Sequence, residues 1–237
     1  MKGIFVIGTD TGVGKTIIAS GIASALKKRG IDVGVMKPLE SGCDVVEGRM
    51  VPNDALLLKD ASGVEDSIEE INPYSLKEPL APSVAADIVG TSIDIEKIMS
   101  NFKYLKEKHK FLIVEGAGGL LVPVKGKFLF SDLIKKMGLP ALIVARANLG
   151  TINHTLLTVN HAKNLQINVL GIIINHLSDN EGLAEKTNPD VLKELLDVPI
   201  LGNFPYSPLC AENIALLADL AEKNIDIPFF MKNFQAG

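Results

Sequence analysis

Phosphate chemistry is written first in Gly8-Thr9-Asp10-Thr11-Gly12-Val13-Gly14-Lys15-Thr16, a glycine-rich loop that ends in Lys-Thr. Glycines let backbone N–H groups turn inward around phosphate oxygens, because no Cβ stands in the way. Lys15 can reach the β- and γ-phosphates, and the Thr16 hydroxyl can ligate Mg²⁺. An apolar run, Ile4–Ile7, precedes the loop, and a helical pattern follows it from Thr16 to Arg29. A helix start here would add unpaired donors and partial positive charge facing the phosphates. The spacing is a variant. Five residues separate Gly8 from Gly14, and Thr9 stands where such loops usually have their first glycine.

Other residues could complete that chemistry. Glu115 closes the apolar run Phe111–Val114 and is followed by Gly116-Ala117-Gly118-Gly119. Alone it could be a solvated strand end; beside a phosphate loop it suits the Mg²⁺ side of a triphosphate. Asp54, in Pro52-Asn53-Asp54-Ala55, reads equally as a helix-start residue and as a second metal carboxylate. Lys37, in Lys37-Pro38 with Ser41-Gly42 after it, is a poor base at neutral pH, since an ordinary lysine is protonated. It is a good cation for a developing phosphoryl charge. Asn175 ends another apolar run, and its amide offers both donor and acceptor to a nucleotide base; the plain alternative is a turn residue. His154 and His161 lie seven apart on one expected helix and read as structural.

The elements that must position these residues follow from hydropathy. Short continuous apolar runs recur at Ile4–Ile7, Val33–Met36, Phe111–Val114, Ala141–Ala145 and Val169–Ile174, with a weaker one at Pro199–Phe204. None alternates cleanly, as expected of strands buried on both faces of a parallel sheet. Helical spacing lies between them: 16–29, Ile95–His109 behind an Asp94 cap, Thr151–Leu165 and Glu212–Lys223. The pattern predicts an α/β three-layer fold with a mostly parallel central sheet flanked by helices, its site at the strand C-terminal ends. Residues 42–90 break the rhythm and predict short helices and loops over the sheet edge, in one domain spanning 1–237.

Composition narrows the function classes. The net charge of −4 gives no reason to expect nucleic acid or an anionic membrane as partner. No apolar stretch reaches the ~18 residues of a membrane span, and nothing at the start reads as an export signal. Two cysteines, Cys43 and Cys210, make neither a disulfide framework nor a metal site, which fits reduced thiols in the cytoplasm.

Order and spacing together give a resemblance. The chain resembles the dethiobiotin synthetase family, within the P-loop NTPase fold, over essentially its whole length. The residues that carry it are the loop Gly8–Thr16, Lys37-Pro38 with Ser41-Gly42, Asn53-Asp54-Ala55, Asn72-Pro73-Tyr74, Glu78-Pro79, Glu115–Gly119, Gly150 through Ile152-Asn153-His154, and Asn175. The loop variant is that family's own pattern. The resemblance implies that 7,8-diaminopelargonate takes up CO₂ on one amine. ATP then phosphorylates the carbamate, and the second amine closes a cyclic urea, leaving dethiobiotin, ADP and phosphate.

It also implies residue roles. Thr11, Gly12, Val13, Gly14, Lys15 and Thr16 would cradle the triphosphate. Gly12 stands where some members carry an acidic residue, which removes a possible polar contact. Thr16, Asp54 and Glu115 would hold Mg²⁺. Lys37, with Lys15 and Thr11, would carry catalysis as cation and hydrogen-bond donors. Ser41, Pro79, Leu80 and Gly118 would line the substrate pocket. Asn175, with Pro205 and Tyr206, would receive adenine. Gly150, Thr151, Ile152 and Asn153 would offer a helix start to the substrate carboxylate from a neighbouring subunit, which implies a homodimer with its sites at the interface.

Two rival readings share parts of the pattern. Enzymes that amidate corrin carboxylates carry a similar loop and Glu-Gly-Ala-Gly run, but also need a glutaminase domain, for which neither cysteine has a suitable context. Partitioning-type ATPase switches carry a lysine near the loop start; Asp10 occupies that place here.

Overall fold

The structure, a computed structural model, describes residues 2–179 and 182–235. The six apolar runs all form strands: β1 (Gly3–Gly8), β2 (Val33–Met36), β3 (Phe111–Gly119), β4 (Ala141–Arg146), β5 (Val169–Asn175) and β6 (Ile200–Phe204). They form one sheet in the spatial order β6-β5-β4-β1-β3-β2, with every pairing parallel. The lack of alternation has its expected cause. Phe5, Ile7, Leu112, Val114 and Ile143 enter one core, while Ile4, Val6, Val35, Ile113 and Val144 enter a second core on the opposite face.

Helices cover both faces. On one lie α1 (Lys15–Lys28), α2 (Asn53–Ser62), α3 (Ile68–Ile71), α9 (Ile214–Asn224) and α10 (Ile227–Gln235). On the other lie α4 (Pro82–Ile88), α5 (Ile95–Lys108), α6 (Phe130–Met137), α7 (Thr151–Asn164) and α8 (Leu183–Leu195). Ile18, Ile22 and Leu26 of α1 are buried in the second core, and Lys27 and Lys28 fill its last turn, where cations suit the dipole. Asp94 caps α5 as expected, accepting from the Glu96 N–H at 2.9 Å.

Some boundaries differ from the periodicity. α9 begins at Ile214 rather than at Glu212, because the Asn213 side chain accepts from the Leu216 N–H at 3.0 Å and so starts the helix. The expectation of short helices and loops over residues 42–90 holds, with α2 the longest of three helices. α2 has ten residues, and its Ala55, Leu58 and Ala61 belong to the core beneath α1. The rest of that region is small pieces: Glu40–Ser41 pairs with Ser75–Leu76, and Asp44–Val46 pairs with Arg49–Val51. Sequence spacing did not reveal α6, α8 or α10; α8 even contains Pro189.

The topology places the site. From β1 the chain crosses over to the edge strand β2, returns to β3 between them, and then starts β4 on the far side of β1. Connections leave the strand C-terminal ends in opposite directions there, and a crevice opens. Among the described residues no helix is long and apolar enough to cross a membrane.

Candidate active site

A cleft of about 920 Å³ opens at that crevice. Its floor is the loop between β1 and α1. Gly14 adopts φ +85 and precedes the first helical turn, and a Cβ there would stand 2.1 Å from Asn175 Nδ2. Glycine is therefore required twice over, by backbone conformation and by space. Asn175 in turn donates from Nδ2 to the Val13 carbonyl at 2.9 Å, tying the end of β5 to the loop. Lys15 is buried and donates to the Asp10 carbonyl at 3.3 Å. Burial pushes its ammonium down to about 8, and the nearby Lys37 charge works in the same direction against the pull of Glu115, Asp54 and Asp10.

Beside the loop lies a cluster of buried charges. Sheet register builds it. Met36 of β2 pairs with Val114 of β3, so the next residues, Lys37 and Glu115, emerge side by side. Lys37 Nζ lies 2.5 Å from Glu115 Oε1 and 2.7 Å from Asp54 Oδ2. The Thr16 hydroxyl donates to the same Glu115 Oε1 at 2.8 Å. Burial alone would drive the Lys37 proton off, but Glu115 and Asp54 together outweigh it and hold the ammonium well above the ordinary lysine value. Lys37 is thus a fixed cation. Burial and the Asp54 charge push Glu115 up despite Lys37. Asp54 is also partly desolvated, yet Lys37, Thr16 and Lys15 hold it below its ordinary value.

A second layer fixes Lys37 from behind. Its backbone N–H donates to the Ile71 carbonyl at 2.9 Å, and its carbonyl accepts from Asn72 Nδ2 at 2.6 Å. Ser75 Oγ donates to Asn72 Oδ1 at 2.5 Å. The Asn72-Pro73-Tyr74 triplet therefore acts as a support rather than as a surface of the cleft. Gly116 is the corresponding necessity on β3: a Cβ there would meet Ile7 Cδ1 at 2.7 Å and Phe5 Cε1 at 2.9 Å.

The donor set fits a hard divalent cation. Thr16, Asp54 and Glu115 offer only oxygen, and Glu115 Oε2 is buried with no hydrogen-bond partner. A buried carboxylate oxygen left unmatched is costly unless something cationic meets it. Mg²⁺ takes few protein carboxylates and completes its shell with water and phosphate. Among the described residues no group of three His, Cys, Asp or Glu gathers as an all-protein metal cage.

Most of the residues singled out in the sequence come together. Thr11, Gly12, Gly14, Lys15, Thr16, Lys37, Ser41, Asp54, Pro79, Leu80, Glu115 and Gly118 all line the cleft. The Val13 side chain is in the core, and only its backbone belongs to the loop. Asn175, Pro205, Tyr206 and the stretch Gly150–Asn153 do not line it. Gly150, at φ +93, precedes α7; Thr151 is buried and Asn153 exposed. One charged cleft residue escaped the sequence reading, as did the apolar Leu57 and Val122. Glu40 is 5% exposed, lines the cleft and is pushed up to about 7 by burial and by the Asp54 charge. Nothing in its neighbours Leu39 and Ser41 signals this.

The chain has clear relatives among known proteins. A family model described as an AAA domain matches residues 2–213. The chain is 49% identical over 238 residues to the ATP-dependent dethiobiotin synthetase of Bacillus velezensis, covering all of both proteins. It is 48% identical over 233 residues to that of Thermodesulfovibrio yellowstonii, covering 95% of this chain and 96% of the relative. In three dimensions it resembles a ParA family ATPase from Chlorobium tepidum, with TM-score 0.56, 17% identity and coverage of 94% and 91%. It also resembles the septum site-determining protein MinD of Pyrococcus horikoshii, complexed with Mg-ADP, with TM-score 0.56, 16% identity and coverage of 99% and 95%. These structural likenesses bear on the fold alone.

Proposed function

The chain belongs to the ATP-dependent dethiobiotin synthetases, and from that premise we propose how its residues divide the work. The enzyme makes dethiobiotin at the expense of ATP. In the proposed course one amine of 7,8-diaminopelargonate binds CO₂ as a carbamate. A carbamate oxygen attacks the γ-phosphorus and ADP leaves. The second amine attacks the carbonyl carbon of the mixed anhydride, and phosphate leaves as the cyclic urea closes.

Phosphoryl transfer needs positioning and charge neutralisation more than it needs a protein nucleophile. The backbone of Thr11–Thr16 and the Lys15 ammonium are suited to gripping the triphosphate. Mg²⁺, when bound, would neutralise phosphate oxygens, held by Thr16, Asp54 and Glu115. Lys37 carries the proposal. Locked as a cation between Glu115 and Asp54 at 2.5 and 2.7 Å, it is suited to stabilise the carbamate and the transferring phosphoryl group, not to take a proton. Thr11 and Ser41 would donate to carbamate or γ-phosphate oxygens. Pro79, Leu80 and Gly118 would contact the substrate chain. The Asn175 Nδ2 already serves Val13, so its Oδ1 would accept from the adenine amine, with Pro205 and Tyr206 along the ring. The Gly150–Asn153 helix start lies away from the cleft of its own chain, which supports its service to a second subunit's substrate in a homodimer. The whole chain would act as one catalytic domain, in the cytoplasm.

The test is phosphate release from MgATP with and without 7,8-diaminopelargonate and bicarbonate. Release should require both and match dethiobiotin formed one for one. Release indifferent to the diamine would overturn the assignment.

A further inference from the structure

Glu40 has no role in the division of work above, yet both oxygens of its carboxylate are engaged. Its two oxygens accept from the backbone N–H groups of Asp54, at 2.9 Å, and Ala55, at 3.0 Å. These N–H groups belong to the first turn of α2, which has no intrahelical acceptor for them. The residue before α2 is Pro52, and it makes no side-chain cap. The cap thus comes from fourteen residues upstream. Glu40 is itself held, because its backbone N–H donates to the Tyr74 carbonyl at 2.9 Å. Apart from this clamp, the half-exposed Asp54 side chain is held by the Lys37 ammonium and the Thr16 hydroxyl.

We propose that Glu40 is a positioning residue: it clamps the first turn of α2 so that the Asp54 carboxylate faces Lys37 and the metal side of the triphosphate. The inference rests on the reading of Asp54 as a Mg²⁺ ligand. It distinguishes Glu40 from an ordinary helix cap, which would support α2 without tuning what Asp54 meets.

The experiment compares Glu40→Ala, Glu40→Gln, Asp54→Ala and the double variant Glu40→Ala/Asp54→Ala. Glu40→Gln keeps the shape but can accept only one of the two N–H groups. The readouts are the Mg²⁺ concentration for half-maximal binding of a fluorescent ATP analogue, amide hydrogen exchange at Asp54 and Ala55 without metal, and the kcat and KM for the diamine. Glu40→Ala should raise the Mg²⁺ midpoint about tenfold and speed exchange at both amides, with Glu40→Gln intermediate. It should lower kcat at fixed Mg²⁺ and leave the diamine KM unchanged. The double variant should be no worse in its Mg²⁺ midpoint than Asp54→Ala alone. A midpoint within twofold of wild type in Glu40→Ala, beside a clear shift in Asp54→Ala, would overturn the inference alone. So would full additivity in the double variant. No shift in Asp54→Ala would remove the metal role of Asp54 and the inference with it.

Discussion

Strands β2 and β3 carry a charge cluster at each of their two ends, and the clusters behave oppositely. At the C-terminal ends Lys37 meets Glu115 and Asp54. At the N-terminal ends His109 lies between two carboxylates, with Nδ1 2.7 Å from Asp32 Oδ1 and Nε2 2.8 Å from Asp66 Oδ2. There every carboxylate oxygen is matched. Asp66 Oδ1 takes Lys108 at 2.5 Å, and Asp32 Oδ2 takes the Lys110 N–H at 3.1 Å. At the other end Glu115 Oε2 is matched by nothing. The shifts follow. Asp66 is desolvated, yet Lys108 and His109 hold it below its ordinary value. Glu115 is desolvated with a second carboxylate nearby, and Lys37 does not compensate. A satisfied network stiffens a fold; an unsatisfied one at a cleft is where a ligand gains most.

That contrast can be broken most sharply at Lys37. Lys37→Ala should cut kcat by about a thousandfold, the scale of losing a preorganised charge at a phosphoryl or oxyanion centre. Turnover within tenfold of wild type would make the cleft cluster as structural as its counterpart. Asp66→Asn should do the reverse. It should cost about 1–3 kcal/mol of unfolding free energy, the scale of leaving buried hydrogen-bonding groups unmatched, while kcat below the melting range stays near wild type. Denaturant titration and steady-state kinetics on the same preparation decide between these outcomes.

The pH responses should also separate. Asp66 has a folded-state value below its unfolded one, so its stabilisation is fully present above the unfolded value near 3.8 and is lost as pH falls through the folded value. Stability should therefore decline below about pH 4 in wild type and less steeply in Asp66→Asn. At the cleft, Lys15 loses its proton near 8 in the free protein, where its charge is needed for phosphate. ATP affinity should fall above that pH, with proton uptake on binding between about 8 and 10 that calorimetry in buffers of different ionisation heat would register. A flat affinity to pH 9.5 would contradict the lysine's depressed value. The smallest effect is expected at Asn175→Ala, which removes one hydrogen bond to Val13 and should weaken ATP binding by about 0.5–1.5 kcal/mol. An unchanged ATP affinity would mean that something else holds both loop and base.

Legibility in the sequence followed locality. The central strands were readable because each is a short run buried on both faces, as in β1, where all six residues are buried, while the edge strand β6, with Asn203 exposed, gave only the weaker run. The Asp94 cap was readable because cap and helix are adjacent. Helix α8 was not, because Pro189 within it argues against a helix that the packing of Leu192 nevertheless supports. Asp54 was left even between cap and ligand. The structure gives the capping of its helix to Glu40 and turns the Asp54 side chain to Lys37. No local pattern could show that exchange.

The sequence by itself determined the phosphate loop, since glycine sterics and a Lys-Thr at the helix start act within nine residues, and it determined the layered α/β arrangement through hydropathy. Tertiary structure alone decided the charge cluster. Lys37 and Glu115 lie 78 residues apart and meet because Met36 registers with Val114. Whether such a pair becomes a matched support or a site with an orphaned oxygen depends on desolvation and on which donors the neighbouring loops deliver, and those exist only after the chain has packed.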